Sequence, residues 1–144
     1  METLKLEHIA PYLPYGLLGK SITGNIFILD IASGTGGKGY TKRTIETFIT
    51  DEYKLLFHPL SSLTKPIQHN GEEFYVIDKI VHPSNIEMLG GYKEIHDTWV
   101  KNGVITHALT LGAWNTLFEH HFNVFNLPSH LWIDVNTLDE NPYK

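Results

Sequence analysis

The spacing of apolar residues changes near the middle of the chain, and this change constrains the fold more than any single motif. Before it, three segments are rich in β-branched and aromatic residues that lack helical spacing, which predicts strands. These segments are residues 21–31, 40–50 and 53–58. After it, apolar residues recur at three- and four-residue steps over residues 86–99 and 104–121, which predicts two amphipathic helices. Leu111, Trp114 and Phe118 are expected to dock the second helix on the sheet.

A last strand is expected at residues 131–135, LWIDV. The order is therefore strands first, helices later and one closing strand. This order predicts an α+β fold: a mostly antiparallel β-sheet with two helices packed on one face.

Two turns are expected to connect the early strands. Residues 32–39, ASGTGGKG, hold four glycines and are expected to join two strands as a β-hairpin. Asn70-Gly71 lies between short apolar runs, and a type I′ turn needs positive φ at both positions, so a second hairpin is expected there.

Length and composition favour one folded domain. The chain has 144 residues, 42% of them hydrophobic, which suffices for one core, and we expect a single domain over residues 1–144 with a polar tail at residues 139–144. The absence of cysteine excludes disulfides and thiolate catalysis. No apolar run approaches a membrane span, so a cytoplasmic protein without a membrane anchor is expected.

The charge balance bears on the class of partner. The formal net charge is −5, and the 11 Lys and Arg residues are scattered. Because duplex binding depends on neutralising phosphates, a duplex nucleic acid partner is not expected. A local cluster of basic residues can still bind a small anion.

The glycine-rich segment is the candidate for such a cluster. Glycines allow backbone N–H groups to approach a phosphate, and basic residues follow directly. The candidate ligand-binding residues are Gly36, Gly37, Lys38, Tyr40, Lys42 and Arg43. The segment departs from the Walker pattern, because Gly39 follows Lys38 where Ser or Thr is required. A flexible hairpin tip without a ligand is the alternative.

Nine histidines raise the possibility of a metal site. His107 and His121 share one stripe of the expected second helix, but adjacent helical residues such as His120 and His121 point about 100° apart. We therefore expect no metal ligands and no cofactor, and histidines that pack in the core or cap the helix end.

His82-Pro83-Ser84 and His96-Asp97-Thr98 have the His-x-Ser/Thr form of two-histidine phosphoesterases, and their close spacing favours coincidence.

Four segments together resemble a group of short phage and prophage proteins. They are LEHIAPYLPYGL (residues 6–17), HPLSSLTKPI (58–67), NGEEF (70–74) and LFEHHFNVFNL with WIDVNTL (117–138). The resemblance implies a phage or mobile-element context, in which small proteins often act by binding. It transfers no functional residue to this chain.

The resemblance thus implies a phage-type accessory protein that acts by non-catalytic binding in the host cytoplasm, for example as an anti-defence inhibitor. Its partner is expected to be a host protein or a small phosphorylated ligand such as a nucleotide signal, and a homo-oligomer would help to close a pocket. One alternative is a small metal- or histidine-dependent hydrolase that uses His82, His96, His107 or His121. Another is a phage structural or assembly accessory.

Overall fold

The computed structural model describes residues 3–35 and 39–144, which form an α+β fold. The strands are β1 Leu18–Lys20, β2 Ile26–Leu29, β3 Gly34–Thr35, β4 Thr41–Arg43, β5 Lys54–Phe57, β6 Pro66–His69, β7 Glu72–Tyr75, β8 Val100–Lys101, β9 Val104–Ile105 and β10 Trp132–Asp134. The α-helices are α1 Leu6–Ile9, α2 Ile45–Thr50, α3 Ile77–Ile80, α4 Pro83–Met88, α5 Tyr92–Trp99 and α6 Leu111–Glu119. Short 3₁₀ helices span Ala10–Tyr15, Leu60–Thr64, Ser129–Leu131 and Val135–Thr137.

The chain forms two compact units. The N-terminal unit contains the described residues up to Phe57 and, in addition, Leu127–Asp134. The C-terminal unit contains His58–Asn126 and Val135–Lys144. The final residues are mostly polar, as expected for a tail, but the Tyr143 side chain is buried in the C-terminal unit.

The N-terminal unit is built on a six-stranded sheet of order β10-β5-β1-β2-β4-β3. Three neighbouring pairs are antiparallel: β1 with β2, β1 with β5, and β3 with β4. The other two pairs are parallel: β2 with β4, and β5 with β10. The prediction of a mostly antiparallel sheet is therefore wrong, because the sheet is mixed. The expected hairpin between residues 21–31 and 40–50 does not form, because β2 and β4 are parallel. The antiparallel partner of β4 across the glycine-rich segment is instead the short strand β3.

Two predicted strands of the N-terminal unit contain other elements. Residues 21–31 hold a turn followed by β2, and the turn returns the chain from β1. Residues 40–50 hold β4 and then helix α2, which begins at Thr44, whose hydroxyl accepts a hydrogen bond from the Thr47 N–H. Phe48 of α2 is fully buried against Gly19 of β1, where a Cβ would lie 2.5 Å from the ring. Glycine at this position allows the helix to approach the sheet closely.

Two Asn-Gly hairpins lie in the C-terminal unit. Asn70 (φ 50°) and Gly71 (φ 84°) join β6 to β7, which confirms the predicted hairpin. Asn102 (φ 53°) and Gly103 (φ 76°) join β8 to β9 in the same way. This second hairpin occupies the region where the second helix was predicted to begin.

The prediction of two helices is wrong, since the described residues contain six. Gly90 (φ 95°) and Gly91 (φ 92°) divide the first predicted helix into α4 and α5. The second predicted helix is shorter than expected, because α6 starts only after Thr110, which caps it by accepting from the Ala113 N–H. Ala113 and Leu117 are its buried residues, whereas Leu111 is 77% exposed and does not dock the helix.

Three helices end in the same turn. Helices α2, α4 and α6 each end in a Schellman motif, which is a pair of backbone hydrogen bonds around one residue with positive φ. That residue is Glu52 in α2, Gly90 in α4 and His121 in α6. For α6 the bonds run from His121 N–H to the Phe118 carbonyl (3.1 Å) and from Phe122 N–H to the Leu117 carbonyl (3.0 Å). Glycine is the usual residue at this position, so Glu52 and His121 hold a backbone conformation that side chains disfavour.

Candidate functional site

The predicted phosphate-binding residues are only partly within the described structure. Gly36, Gly37 and Lys38 lie outside the described residues. Tyr40 is half-buried just before β4, and Lys42 and Arg43 belong to β4 itself.

Both basic side chains of β4 already have partners. The Lys42 ammonium lies 3.2 Å from a carboxylate oxygen of Asp30, and the Arg43 guanidinium lies over the Phe27 ring at 4.6 Å. A hydrogen bond from the Ile31 N–H, followed by the Lys42 side chain, lowers the pKa of the Asp30 carboxyl. An anion at β4 therefore competes with Asp30 for Lys42.

A different cluster of polar and basic residues forms in the C-terminal unit. We call it the cationic groove, and its volume is about 340 Å³. Its lining residues are Ser61, Thr64, Lys65, Tyr92, Lys93 and His96. The first three come from the 3₁₀ helix Leu60–Thr64 and the residue after it, and the others come from α5.

Apolar packing on the buried side of the same elements fixes the groove. Leu60 and Leu63 of the 3₁₀ helix and Ile95 and Trp99 of α5 are all buried, which holds the two elements together. Ser61 and Thr64 are three residues apart, which is one turn of a 3₁₀ helix, so both hydroxyls lie on one side. The sequence therefore places polar side chains along one face and apolar side chains along another.

The lining of the groove contains basic side chains and no acidic one. Lys65 and Lys93 are exposed, and in the part of the chain that the structure describes neither forms an ion pair. His96 contacts the Asp97 carboxylate through Nδ1 at 3.1 Å. Two lysines without acidic partners make this groove basic in a chain whose net charge is −5.

Tyr92 forms a rigid wall of the groove. Its hydroxyl donates to the Asp78 carboxylate at 3.0 Å, and its ring stacks on Tyr75 with centroids 4.3 Å apart and planes at 12°. Burial, followed by the hydrogen bond to Asp78 and the negative charge of Asp78, raises the pKa of the Tyr92 phenol. The phenol therefore stays protonated and keeps this hydrogen bond across the neutral range.

Sequence reasoning missed this groove, since it assigns no binding site to residues 60–66. A signal for a short amphipathic helix is nevertheless present in the sequence. The apolar Leu60 and Leu63 are three residues apart, and so are the polar Ser61 and Thr64, which Lys65 follows. No local pattern indicates that α5 packs against this segment.

The C-terminal unit also brings four histidines together, which we call the histidine cluster: His58, His69, His120 and His121. The His69 ring lies 4.9 Å from that of His120 and 5.5 Å from that of His121. The Nδ1 of His120 lies 2.8 Å from the Thr116 carbonyl, so this histidine caps the end of α6 as predicted. His121 stacks on Tyr143 with ring centroids 4.0 Å apart.

His58, His120 and His121 are buried and His69 is half-buried. Within residues 3–35 and 39–144 no group of three or more His, Asp or Glu side chains has an arrangement suited to a metal ion. Burial, followed by repulsion from His69 and His120, lowers the pKa of His58 to about 4. The His58 imidazole is therefore neutral at physiological pH.

The other candidate histidines have local structural roles. His82 caps helix α4 by accepting from the Ser84 N–H, and its Nδ1 lies 2.7 Å from the Ser84 hydroxyl. His107 stacks on Trp99 at 4.1 Å, away from α6. The stripe of His107, Trp114 and His121 is therefore not formed, because the helix begins after His107.

No family model, no curated protein and no solved structure matches this chain. No helix in the described residues is long and apolar enough to cross a membrane.

Proposed function

We propose that the chain is a phage-type accessory protein that binds a small phosphorylated ligand in the cationic groove without turning it over. The observation that carries this proposal is the pair of exposed lysines, Lys65 and Lys93, which line one groove without a carboxylate among its lining residues. The nucleotide signal expected from the sequence is such a ligand, but the proposed binding residues differ from those of the glycine-rich segment.

The chemistry of the lining suits a phosphate group. Ammonium groups and hydroxyls donate hydrogen bonds to phosphate oxygens, and bonds to a charged acceptor are about twice as strong as neutral ones. Lys65, Lys93, Ser61 and Thr64 supply these donors.

The start of α5 adds to the same preference. Gly91 precedes the helix and has no side chain to accept its first N–H groups. The free N–H groups of a helix N-terminus favour negative charge, although Glu94 in the first turn offsets part of this effect.

The volume of the groove limits the size of the ligand. A space of about 340 Å³ lies at the lower end of the range for small-molecule sites. A mononucleotide or the phosphate end of a larger nucleotide matches this size, whereas a nucleic acid duplex does not. In the host cytoplasm, such binding would sequester a nucleotide that activates defence.

Calorimetry with a matched pair of ligands tests the proposal. Adenosine monophosphate and adenosine differ only in the phosphate, so tighter binding of the monophosphate measures the phosphate contact. The double variant Lys65→Ala with Lys93→Ala is expected to weaken monophosphate binding by roughly tenfold or more, because it removes two charged contacts, each worth about 1 kcal/mol at an exposed position. Inorganic pyrophosphate and a cyclic dinucleotide extend the panel.

A second double variant, Lys42→Ala with Arg43→Ala, is the matched control. It removes the same number of positive charges at the site predicted from sequence, and it is expected to leave affinity unchanged. Loss of binding in this control, with full binding in the Lys65/Lys93 variant, would place the ligand at the glycine-rich segment instead. Failure of the wild-type protein to bind any phosphorylated ligand in the panel would overturn the proposal.

A phage assay tests the cellular role. Expression of the wild-type protein is expected to rescue phage growth from a nucleotide-signalling defence system, and the Lys65/Lys93 variant is expected to lose this rescue. Rescue that persists in the variant would instead indicate inhibition of a host protein.

A further inference from the structure

A second cavity lies in the N-terminal unit, and it has a different chemical character. We call it the amphipathic cavity; its volume is about 430 Å³. Four of its nine lining residues are aliphatic, namely Leu4, Ile22, Ile49 and Leu131. Ligand pockets combine a largely apolar lining with a few polar groups, and this cavity has both the size and the composition of such a pocket.

Ile22 is the most unusual part of this wall. It lies in the turn between β1 and β2 and is 80% exposed. A single exposed isoleucine is common, but this one borders a cavity whose lining also contains the buried Leu4 and Leu131. A ligand with an apolar body would cover Ile22 while filling the cavity.

The polar part of the lining is concentrated near the start of β5. Glu52, Lys54 and His130 all line the cavity, and the negative charge of Glu52 is opposed by two lysines, Lys54 and Lys20, the residue paired with Lys54. Lys54 lies directly opposite Lys20 in the β1–β5 pair, so two positive charges are neighbours on one face of the sheet. Like charges directly opposite across a sheet repel each other, and an anion bound beside Lys54 would reduce this repulsion.

We infer that the amphipathic cavity binds a small organic anion with an apolar body, such as a medium-chain carboxylate or an aryl sulfonate. The apolar body packs against Ile22, Ile49 and Leu131, and the anionic group lies at Lys54 and His130. This site is separate in sequence and in chemistry from the cationic groove, and the inference does not depend on the function proposed above.

Two fluorescent probes that differ in charge test this inference. Anilinonaphthalene sulfonate carries the anionic group, whereas N-phenylnaphthylamine has the same aromatic body without it. The wild-type protein is expected to bind the sulfonate more tightly, and octanoate is expected to displace it. Lys54→Gln is expected to weaken sulfonate binding by roughly five- to tenfold and to leave the neutral probe unchanged, since only the charged contact is removed.

The exposed isoleucines supply a matched pair of variants. Ile22→Asp is expected to weaken binding of both probes by about tenfold or more, because it removes apolar contact and adds a negative charge. Ile31→Asp is the control, since Ile31 is 79% exposed in the same unit but does not line the cavity. Near-ultraviolet circular dichroism checks that each variant keeps its tertiary structure.

Each possible result either supports or contradicts the inference. Sulfonate binding that is lost in Ile22→Asp, retained in Ile31→Asp and weakened in Lys54→Gln supports the inference. Equal binding by the wild-type protein and Ile22→Asp, no measurable binding by the wild-type protein, or equal affinity for the two probes would each overturn it.

Discussion

Acidification is expected to destabilise the folded protein through His58. The His58 side chain is only 1% exposed, and within the described residues neither ring nitrogen has a hydrogen-bond partner. Its surroundings are aromatic and basic: Phe122, Tyr143, His69 and His120. A proton added here would lie in this buried site and would be repelled by His69 and His120 when they are charged, and these effects lower the pKa of His58 to about 4.

The size of the effect follows from the two pKa values of His58. In the unfolded chain the pKa is near the ordinary 6.5, so the unfolded state binds a proton before the folded state does. Stability therefore falls as the pH is lowered from about 6.5 to about 4, and the loss is complete below that range. At about 1.4 kcal/mol per pKa unit, the full loss is about 3 kcal/mol, of which about 2 kcal/mol is lost by about pH 5.

Urea unfolding followed by circular dichroism between about pH 7 and pH 4 measures this loss. The variant His58→Phe keeps a planar ring beside Phe122 but cannot titrate, so its free energy of unfolding is expected to fall by about 3 kcal/mol less than that of the wild-type protein. His107→Phe is the control for the replacement of a histidine by phenylalanine, because His107 is exposed and lies outside the histidine cluster. The reasoning is refuted if the wild-type protein and His58→Phe lose the same free energy over this range.

Two further substitutions test the packing and the helix ends of the N-terminal unit. Gly19→Ala is expected to lower the free energy of unfolding by about 1–3 kcal/mol, because the new methyl group would lie 2.5 Å from the Phe48 ring. An unchanged free energy of unfolding in urea would contradict this close approach. Glu52→Gly is expected to raise the free energy of unfolding by about 0.5–1 kcal/mol, because glycine adopts the observed φ of 55° without strain. A lower melting temperature for Glu52→Gly would mean that the Glu52 side chain stabilises the fold.

The parts of the fold that sequence predicted correctly depend on short-range chemistry. Asn70-Gly71 predicts a hairpin because both residues tolerate positive φ, and the hairpin is present. The strand at residues 53–58 corresponds to β5, and that at residues 131–135 corresponds to β10. In each case, a few neighbouring residues determine the element.

The errors arose where one pattern fits two structures. Ile45 and Ile49 are four residues apart, which suits both an alternating strand and one face of a helix, and the cap at Thr44 decides for the helix. Asn102-Gly103 carries the same hairpin signal as Asn70-Gly71, but it precedes apolar residues whose spacing also fits a helix.

The cationic groove could not be predicted because its residues are brought together only by tertiary packing. Lys65 follows a short 3₁₀ helix, whereas Lys93 lies near the start of α5, beyond a hairpin and two helices. The sequence predicts anion binding at the glycine-rich segment because its glycines and basic residues are adjacent in sequence. Adjacency in sequence did not indicate that Asp30 and Phe27 contact Lys42 and Arg43.

The position of β10 determines the order in which the N-terminal unit can be completed during synthesis. β10 pairs with β5, yet the ribosome must translate the whole segment from His58 to Asn126 between them. At roughly 5–20 residues per second, this delay is on the order of 4–15 s. Throughout it, the apolar edge of β5 lacks its native neighbour and can pair with an edge of another nascent chain. The nascent protein is therefore most exposed to aggregation after β5 has emerged and before β10 has followed it, which makes this interval the one in which a chaperone would act.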